Sequence, residues 1–427
     1  MKNFILILAC TLHSLAALAQ VLEGGNGHTI ILDDKGYVWT NGRNNFGQLG
    51  DSSLVNSHIQ KKVKGLRNIK AIARGYDHSI ALDKNGDLYL WGRNNYGQIG
   101  GALVVDQLRP KKLEHHTDFI AVEGGHWHTV ALKKDGTVWA WGHNFYAELG
   151  DGTREHRNWP VHVLENKNGK IAYFSDVINI ASVGYHTLAL KRDGTVWAWG
   201  TNTFRELGME GEEFQRYAIQ VQGIPKMKEI AVGWHHSVAL DTEGNIWVWG
   251  SDPAFQFKEE TKKWFDKPTK FTGLPTFTKI ACGSWHSLAI DENKNVWGWG
   301  KNHFGMLGTG DTISPSTPVL IKSLKNIVDI GGGCFQSLAL NEQGEIYTFG
   351  DNACGQQGAE STAKIFKPAL MGLNINGNYS MPEKTERNDT YFSAKTWLGI
   401  IFTLLVLSIL INILFWYRMK GRSKNQE

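Results

Sequence analysis

Seven times along this chain a Gly-x-x-His-(Ser/Thr) loop or a close relative of it is followed, fourteen residues after the histidine position, by Trp-Gly or a close relative of that pair. The anchors are His28, His78, His128, His186, His236 and His286, with Gln336 in the seventh place. The matching glycines are Gly42, Gly92, Gly142, Gly200, Gly250, Gly300 and Gly350. Successive anchors lie 50, 50, 58, 50, 50 and 50 residues apart. Self-similarity at such a period means that one supersecondary unit has been copied, and copies of this kind stack to bury a continuous core. A residue found in every copy is therefore expected to be structural. Function is expected where the copies differ.

Residues 69–113 show the unit. Ile69 to Ala73 is a short apolar run ending at Gly75, and 78–82 alternates, with Ser79 and Ala81 on one face and Ile80 and Leu82 on the other. Lys84-Asn85-Gly86 turns the chain, 88–91 returns, and a loop through Gly97 and Gly100 leads to a fourth run at 110–113. Short aromatic and apolar runs between turn signals predict four strands. The hairpin glycine recurs as Gly36, Gly86, Gly136, Gly194, Gly244 and Gly344, as a turn needing positive φ requires. Lys294 breaks that series, at a cost of about 1 kcal/mol.

The third run of each unit carries Trp-x-Trp or an approximation: Trp139 and Trp141, Trp197 and Trp199, Trp247 and Trp249, Trp297 and Trp299. Residues two apart on a strand share a face, and large rings suit the wedge between stacked sheets. The prediction is an all-β chain: a seven-bladed β-propeller of four-stranded blades over residues 20–375. Val21-Leu22-Glu23 aligns with Ala71-Ile72-Ala73 and has no Pro-x-x-Leu strand ahead of it, whereas one occurs at the other end, from Pro368 to Leu373. Ring closure is thus expected from the C-terminal strand completing a blade begun by the first part of the chain, which would remove free edges.

The ends of the chain bear on location. Residues 1–19 read as an export signal, with Lys2, an apolar stretch and an Ala17-Leu18-Ala19 cleavage site; a lipoprotein cut at Cys10 is the alternative but leaves only a short apolar run. Residues 397–417 form an uncharged apolar segment long enough to cross a bilayer as one helix. Trp397 and Trp416-Tyr417 suit its two interfaces, and Arg418, Lys420, Arg422 and Lys424 place the tail (418–427) in the cytoplasm. A polar stalk, 376–396, holds sequons at Asn378 and Asn388. The expectation is a single-pass membrane protein with the propeller outside the cytoplasm. The net charge of +4 comes from the signal and the tail, so residues 20–417 sum to zero, and nucleic-acid binding is not indicated. Cys282, Cys334 and Cys354 are too few for a disulfide framework, and no Cys-x-x-Cys or His/Cys cluster suggests zinc.

The stretch Gly-Gly-His-Trp-His-Thr-Val-Ala-Leu-Lys-Lys-Asp-Gly-Thr-Val-Trp-Ala-Trp-Gly (124–142) and Asn44-Asn45-Phe46-Gly47-Gln48-Leu49-Gly50 closely resemble the regulator of chromosome condensation repeat, and the match runs through all seven copies. The resemblance implies a closed seven-bladed propeller. Function does not travel with the fold. The nuclear founder of that family is a guanine-nucleotide exchange factor that binds chromatin, a role at odds with an exported chain. Secreted bacterial relatives include an inhibitor that grips a β-lactamase, which implies protein binding here.

Strand alternation sends the Gly-x-x-His loops and the loops after Trp-Gly to one face of the disc, and the Asp-Gly hairpins to the other. The residues ahead of each anchor vary: Asn26-Gly27, Tyr76-Asp77, His126-Trp127, Gly184-Tyr185, Trp234-His235, Ser284-Trp285 and Cys334-Phe335. So does the residue after each Trp-Gly: Arg43, Arg93, His143, Thr201, Ser251, Lys301 and Asp351. Among them Tyr76, Asp77, His126, Trp127, Tyr185, Trp234, His235, Trp285, Phe335, Arg43, Arg93, His143 and Lys301 are the candidate partner-binding residues, an aromatic ring interleaved with bases, a composition that interfaces favour. Packing of those aromatics against neighbouring loops is the alternative. One histidine per blade does not build a metal site, so the seven anchors are read as structural hydrogen-bonding groups. Two departures stand out: the extra residues 165–170 before His186, with an Asn-Gly turn, and 253–257 with the charged stretch 258–267 containing Trp264 and Phe265. With no nucleophile–base pair or cofactor fingerprint, no enzyme and no cofactor are expected. The leading expectation is a protein-interaction module; carbohydrate or cell-wall adhesion is the alternative, and a hydrolase using the central face is the less favoured one. A tail of ten residues leaves any signal to be carried by a second membrane protein.

Overall fold

In the computed structural model, residues 21–376 are described, apart from 168, 252–263 and 360. The signal, the sequons, the 397–417 span, the basic tail and the 253–257 departure all lie outside the described residues. No helix among the described residues is long and apolar enough to cross a membrane.

Seven antiparallel sheets follow one another along the chain. Blade 2 is representative: Ile69–Arg74, His78–Asp83, Leu88–Gly92 and Gln107–Lys112 pair in sequence order from the centre outward. The innermost strands of the other blades are Leu22–Gly24, Phe119–Gly124, Val177–Ser182, Met227–Val232, Phe277–Cys282 and Ile327–Gly332, and each packs beside its two neighbours around a central channel. In every blade the anchor pairs with the glycine of Trp-Gly across the second and third strands, as with His78 and Gly92. The hairpin turn of blade 6 holds Lys294 at φ 60°, the left-handed conformation that its glycine counterparts adopt without cost.

The tryptophans fill the wedges between blades. Trp91, Trp141, Trp199, Trp249 and Trp299 are almost fully buried, each against the apolar side chains of the preceding blade. Phe349 does the same between blades 6 and 7. In the last wedge, Leu338, Leu340, Ile346, Met371 and Leu373 of blade 7 meet Leu22 and Ile31 of blade 1, and Asn41 stands in the tryptophan's place. Its side-chain amide donates to the Gly355 carbonyl at 2.9 Å.

The expected strand exchange does not occur. The C-terminal strand, Ile365–Asn374, pairs with Glu345–Gly350 of its own blade, and Leu22–Gly24 begins a complete blade of consecutive strands. The error lay in phase: the Pro-x-x-Leu run is the outer strand of the unit that precedes it, so blade 1 lacks nothing. Blades 7 and 1 instead meet side to side, through the apolar wedge and through backbone bonds such as Asp34 N–H to the Ile375 carbonyl, 3.0 Å. The residues added before His186 form a hairpin, Leu164–Lys167 with Lys170–Tyr173, laid parallel along the outer strand of blade 4 and widening that sheet to six strands. Trp264 and Phe265 lie in the outer strand of blade 5, and Phe265 packs against the core clusters on either side.

Candidate functional site

The anchors join blade to blade. His78 Nε2 lies 3.1 Å from Thr129 Oγ1 of the next blade, and His186, His236 and His286 reach Ser237, Ser287 and Ser337 at 2.9, 2.9 and 2.7 Å. His28 meets Ser79, His128 meets Ser182, and Gln336 Nε2 closes the circle on Thr29 Oγ1 at 2.7 Å. The hydroxyls of Ser79, Thr129, Ser237 and Ser337 donate onward to the carbonyls of Gln48, Gln98, Glu206 and Met306, at 2.7 to 2.8 Å. A hydroxyl that has given its only proton must accept from histidine, so these rings are neutral Nε2–H tautomers. Their Nδ1 atoms are buried without a partner, in keeping with that assignment. Burial holds His28, His78, His236 and His286 down to about 3 and His128 to about 4, with His186 also far below its ordinary value. Among the described residues no group of three or more metal-binding side chains forms.

The glycine of the motif has a steric cause. A Cβ on Gly75 would overlap the His78 ring, and the same holds for Gly25, Gly125, Gly233 and Gly283 with their own histidines. The fourth copy departs from the pattern, reading Val183-Gly184-Tyr185-His186. There Ser182 is the hydroxyl partner of His128, and Thr187 donates to Ser182 at 3.2 Å.

Both variable sets do share one face, as strand alternation predicts. The amide of the residue after Trp-Gly bonds the carbonyl before each anchor, as in Arg93 to Asp77 and His143 to Trp127, both 2.9 Å. The aromatics pack on one another over the channel. Tyr76 stacks on His126 at 4.1 Å and His126 on Tyr185 at 4.8 Å, and Trp234 reaches across to His126 at 5.0 Å and Tyr76 at 5.6 Å. Trp285 lies 4.9 Å from Trp234, Phe335 leans on Phe304, and Lys301 lies over the Trp285 ring. Asp77 is buried between Arg93, 3.2 Å away, and Arg43, with burial raising its carboxyl against the pull of both bases. His126 and His143 are buried too, and burial holds His126 to about 3 and lifts Tyr76 to about 12. The Nε1 atoms of Trp127 and Trp234 are buried without acceptors. Most of the predicted ring is thus an aromatic plug. Trp234→Ala is expected to cost about 1–2 kcal/mol in a denaturant titration, since the half-buried ring gives up its contacts with Tyr76, His126 and Trp285.

Two carboxylates stand beneath the same face. Glu148 and Glu206 occupy positions held by Gln48, Gln98 and Gln356 in other copies, and both are fully buried. Glu148 meets His143 Nδ1 at 2.6 Å and Glu206 meets His235 Nδ1 at 3.1 Å. Below the plug, the channel encloses about 520 Å³. Arg74 crosses it to Glu23, at 3.5 Å, and to the Gly332 carbonyl, at 2.9 Å, while Lys279 pairs with Asp329. Burial lifts the carboxyls of Glu23 and Glu229 to about 7. Cys282, Cys334 and Cys354 are unbridged, and burial pushes the Cys282 thiol up to about 12.

What the face exposes is different from what the motif marks. Leu54 and Val55 of blade 1, Leu103, Val104 and Val105 of blade 2, Phe145 and Tyr146 of blade 3, and Ile313 of blade 6 are 37–70 % exposed. All sit in the loops between third and outer strands. Each loop bridges to the following blade, as in Ser52 N–H to the Leu108 carbonyl, 3.0 Å, and Gly101 N–H to the Asn158 carbonyl, 2.9 Å. Comparison of the copies contained the signal: Ser-Ser-Leu-Val and Ala-Leu-Val-Val stand where blade 3 has Gly-Thr-Arg-Glu. Leu103→Ser is expected to change stability by no more than about 0.5 kcal/mol, because its side chain lies in solvent.

A seven-bladed ring of Gly-x-x-His units with a loop-bearing face defines a class of propeller. The RCC1-like domain model matches residues 102–391, and the regulator of chromosome condensation (RCC1) repeat matches 35–82 and 69–98. The chain belongs to the RCC1-like domain family. Among curated proteins none matches it. Human WBSCR16 is similar in structure, with 20 % identity over 78 % of this chain and 93 % of its own and a TM-score of 0.67. Prp20p from Saccharomyces cerevisiae, described with its binding properties to Gsp1p and histones, has 27 % identity over 73 % of this chain and 80 % of its own, TM-score 0.62. The complex of Kap60 with yeast RCC1 (Prp20) contains a chain with 18 % identity, covering 87 % of this chain and 91 % of its own, TM-score 0.68.

Proposed function

We propose that this chain is a protein-binding propeller that works through the face carrying the Gly-x-x-His loops, and that it acts by binding and not by catalysis. One observation carries the reading: exposed apolar side chains gather on the loops of that face, whereas the hairpin turns of the opposite face present groups such as Lys35, Lys84 and Lys134. Apolar clusters exposed by a soluble fold mark interaction sites. The relative Prp20p, with its binding to Gsp1p and histones, agrees with an interaction role for the fold.

The proposed setting is extracytoplasmic and membrane-tethered, on the strength of the export signal and the 397–417 segment. The described chain ends at Asn376, whose carbonyl accepts from Lys35 Nζ at 3.0 Å, on the hairpin side of the disc. An extracytoplasmic location favours a partner other than a nuclear GTPase. The test is photo-cross-linking in native membranes, with benzoylphenylalanine placed at Val55 or Leu103 on one face and at Lys84 or Lys134 on the other. Adducts to a discrete protein are expected from the first pair. Adducts from the hairpin positions alone would reverse the assignment. A glycan array addresses the adhesion alternative, for which Tyr173, exposed and stacked on His162 at 3.9 Å, offers a lateral aromatic platform.

A further inference from the structure

Among the described residues the apolar loop tips are not distributed evenly around the face, and neither is charge. Residues 43–67 and 93–114, which hold the tips and outer strands of blades 1 and 2, contain nine Lys and Arg against three Asp and Glu. The corresponding stretch of blade 4, 201–221, contains two bases against four acids, and its loop carries Glu210, Glu212 and Glu213 in place of apolar side chains. Two of the bases of blades 1 and 2 reach the tips, whereas Lys62 lies over Tyr37 and Lys112 pairs with Asp87 at the hairpin end of the blades. Arg109 Nε donates to Ser52 Oγ, two residues before Leu54. Lys111 Nζ would lie 3.2 Å from a Cβ on Gly101, two residues before Leu103. Arg93 covers Phe46 at 4.6 Å on the inner side. The result is five exposed aliphatic side chains on the loop tips of two adjacent blades, with a guanidinium and an ammonium group beside them.

We infer that blades 1 and 2 dock an acidic, amphipathic segment of a partner protein, its apolar side chains covering Leu54, Val55 and Leu103 to Val105 and its carboxylates meeting Arg109 and Lys111. This rests on the protein-binding reading of the same face and narrows it to a sector and a partner chemistry. An apolar centre with a charged rim is the usual anatomy of such a contact. The rim bases steer a carboxylate-bearing partner and select against a basic one. A segment with charge alone would leave the aliphatic side chains in water. A neutral apolar segment would bring no carboxylates to Arg109 and Lys111.

The test uses the full chain in detergent and a helical peptide repeating Glu-Leu-Glu-Glu-Leu, alongside its lysine counterpart, polyglutamate, and vesicles of phosphatidylcholine with phosphatidylglycerol. Binding of the acidic amphipathic peptide is expected, weakened about tenfold or more by Leu103→Ser/Val105→Ser and, separately, by Arg109→Glu/Lys111→Glu. Since all four side chains are wholly or partly in solvent, the melting temperature should stay level, and it is recorded for each variant. Equal binding of polyglutamate, stronger binding of the lysine peptide, binding of the vesicles in preference to the peptide, or self-association removed by these variants would each overturn the inference. So would unchanged capture of the cross-linked partner by Arg109→Glu/Lys111→Glu. In that last case adducts from Leu103 would persist, and the broader assignment of the face would stand.

Discussion

Lowering the pH from about 8 to about 5 is expected to remove most of the propeller's stability, because the ring is joined by histidines that must stay neutral. In the unfolded chain a histidine titrates near 6.5, whereas His28, His78, His236 and His286 in the fold are held near 3 and His128 near 4 by burial. The unfolded chain therefore binds more protons through this window, and stability present above about pH 6.5 falls as the pH drops. Each such histidine costs about 2 kcal/mol at about pH 5, so the set approaches the whole stability of an ordinary domain. Glu23 and Glu229, lifted to about 7, act in the opposite sense. Their contribution is full below the ordinary carboxylate range and is lost as pH rises through 7, so they offset part of the loss. His236→Gln isolates one joint, since Gln336 already makes the equivalent bond to Thr29 at 2.7 Å. Guanidinium unfolding across this pH range should show that variant with a slope about 1.4 kcal/mol per pH unit shallower than the parent below pH 6. Parallel profiles would mean that the His236 ring is not held neutral by the fold.

Gly75→Ala is the second change of large expected effect, near 3 kcal/mol from a single methyl group. Gly75 has no positive φ, so the backbone accepts alanine, and the cost is the collision of the new Cβ with the His78 ring. That ring cannot swing aside without giving up its bond to Thr129. Gly223→Ala is the control: its φ of 79° is strained for alanine, but no atom lies within 4 Å, so the cost should stay near 1 kcal/mol. A double-mutant cycle with His78→Ser should show coupling, because removing the ring removes the collision. Additive losses would place the cost of Gly75→Ala somewhere other than the histidine seat.

Much of the fold could be read from the repeats, because hairpin glycines, wedge tryptophans and anchors each answer to a local rule. Pro368 was harder to place: its run has the same local character whether it ends one blade or begins the next, and only pairing with Tyr347 and Thr348 decides it. The face was legible from strand alternation, but the exposed patch was not found from the anchors. Tyr76, His126 and Trp234 vary between copies and are aromatic, the signature expected of a binding ring. Yet loops that converge on a narrow axis bring such rings within stacking distance of each other, and they pack on one another. Leu54 and Leu103 lie farther from the axis on longer loops, where nothing covers them. Their signal was an apolar run in a loop that is polar elsewhere.

The central claim is that repeated residues hold the disc while exposed departures on one face bind a partner. Its most direct test is to measure, on one variant, Leu103→Ser/Val104→Ser/Val105→Ser, both the melting temperature and the yield of the protein adduct cross-linked from Val55 in native membranes. A melting temperature within about 1 °C of the parent, with the adduct lost, is the predicted result. An undiminished adduct would contradict the account.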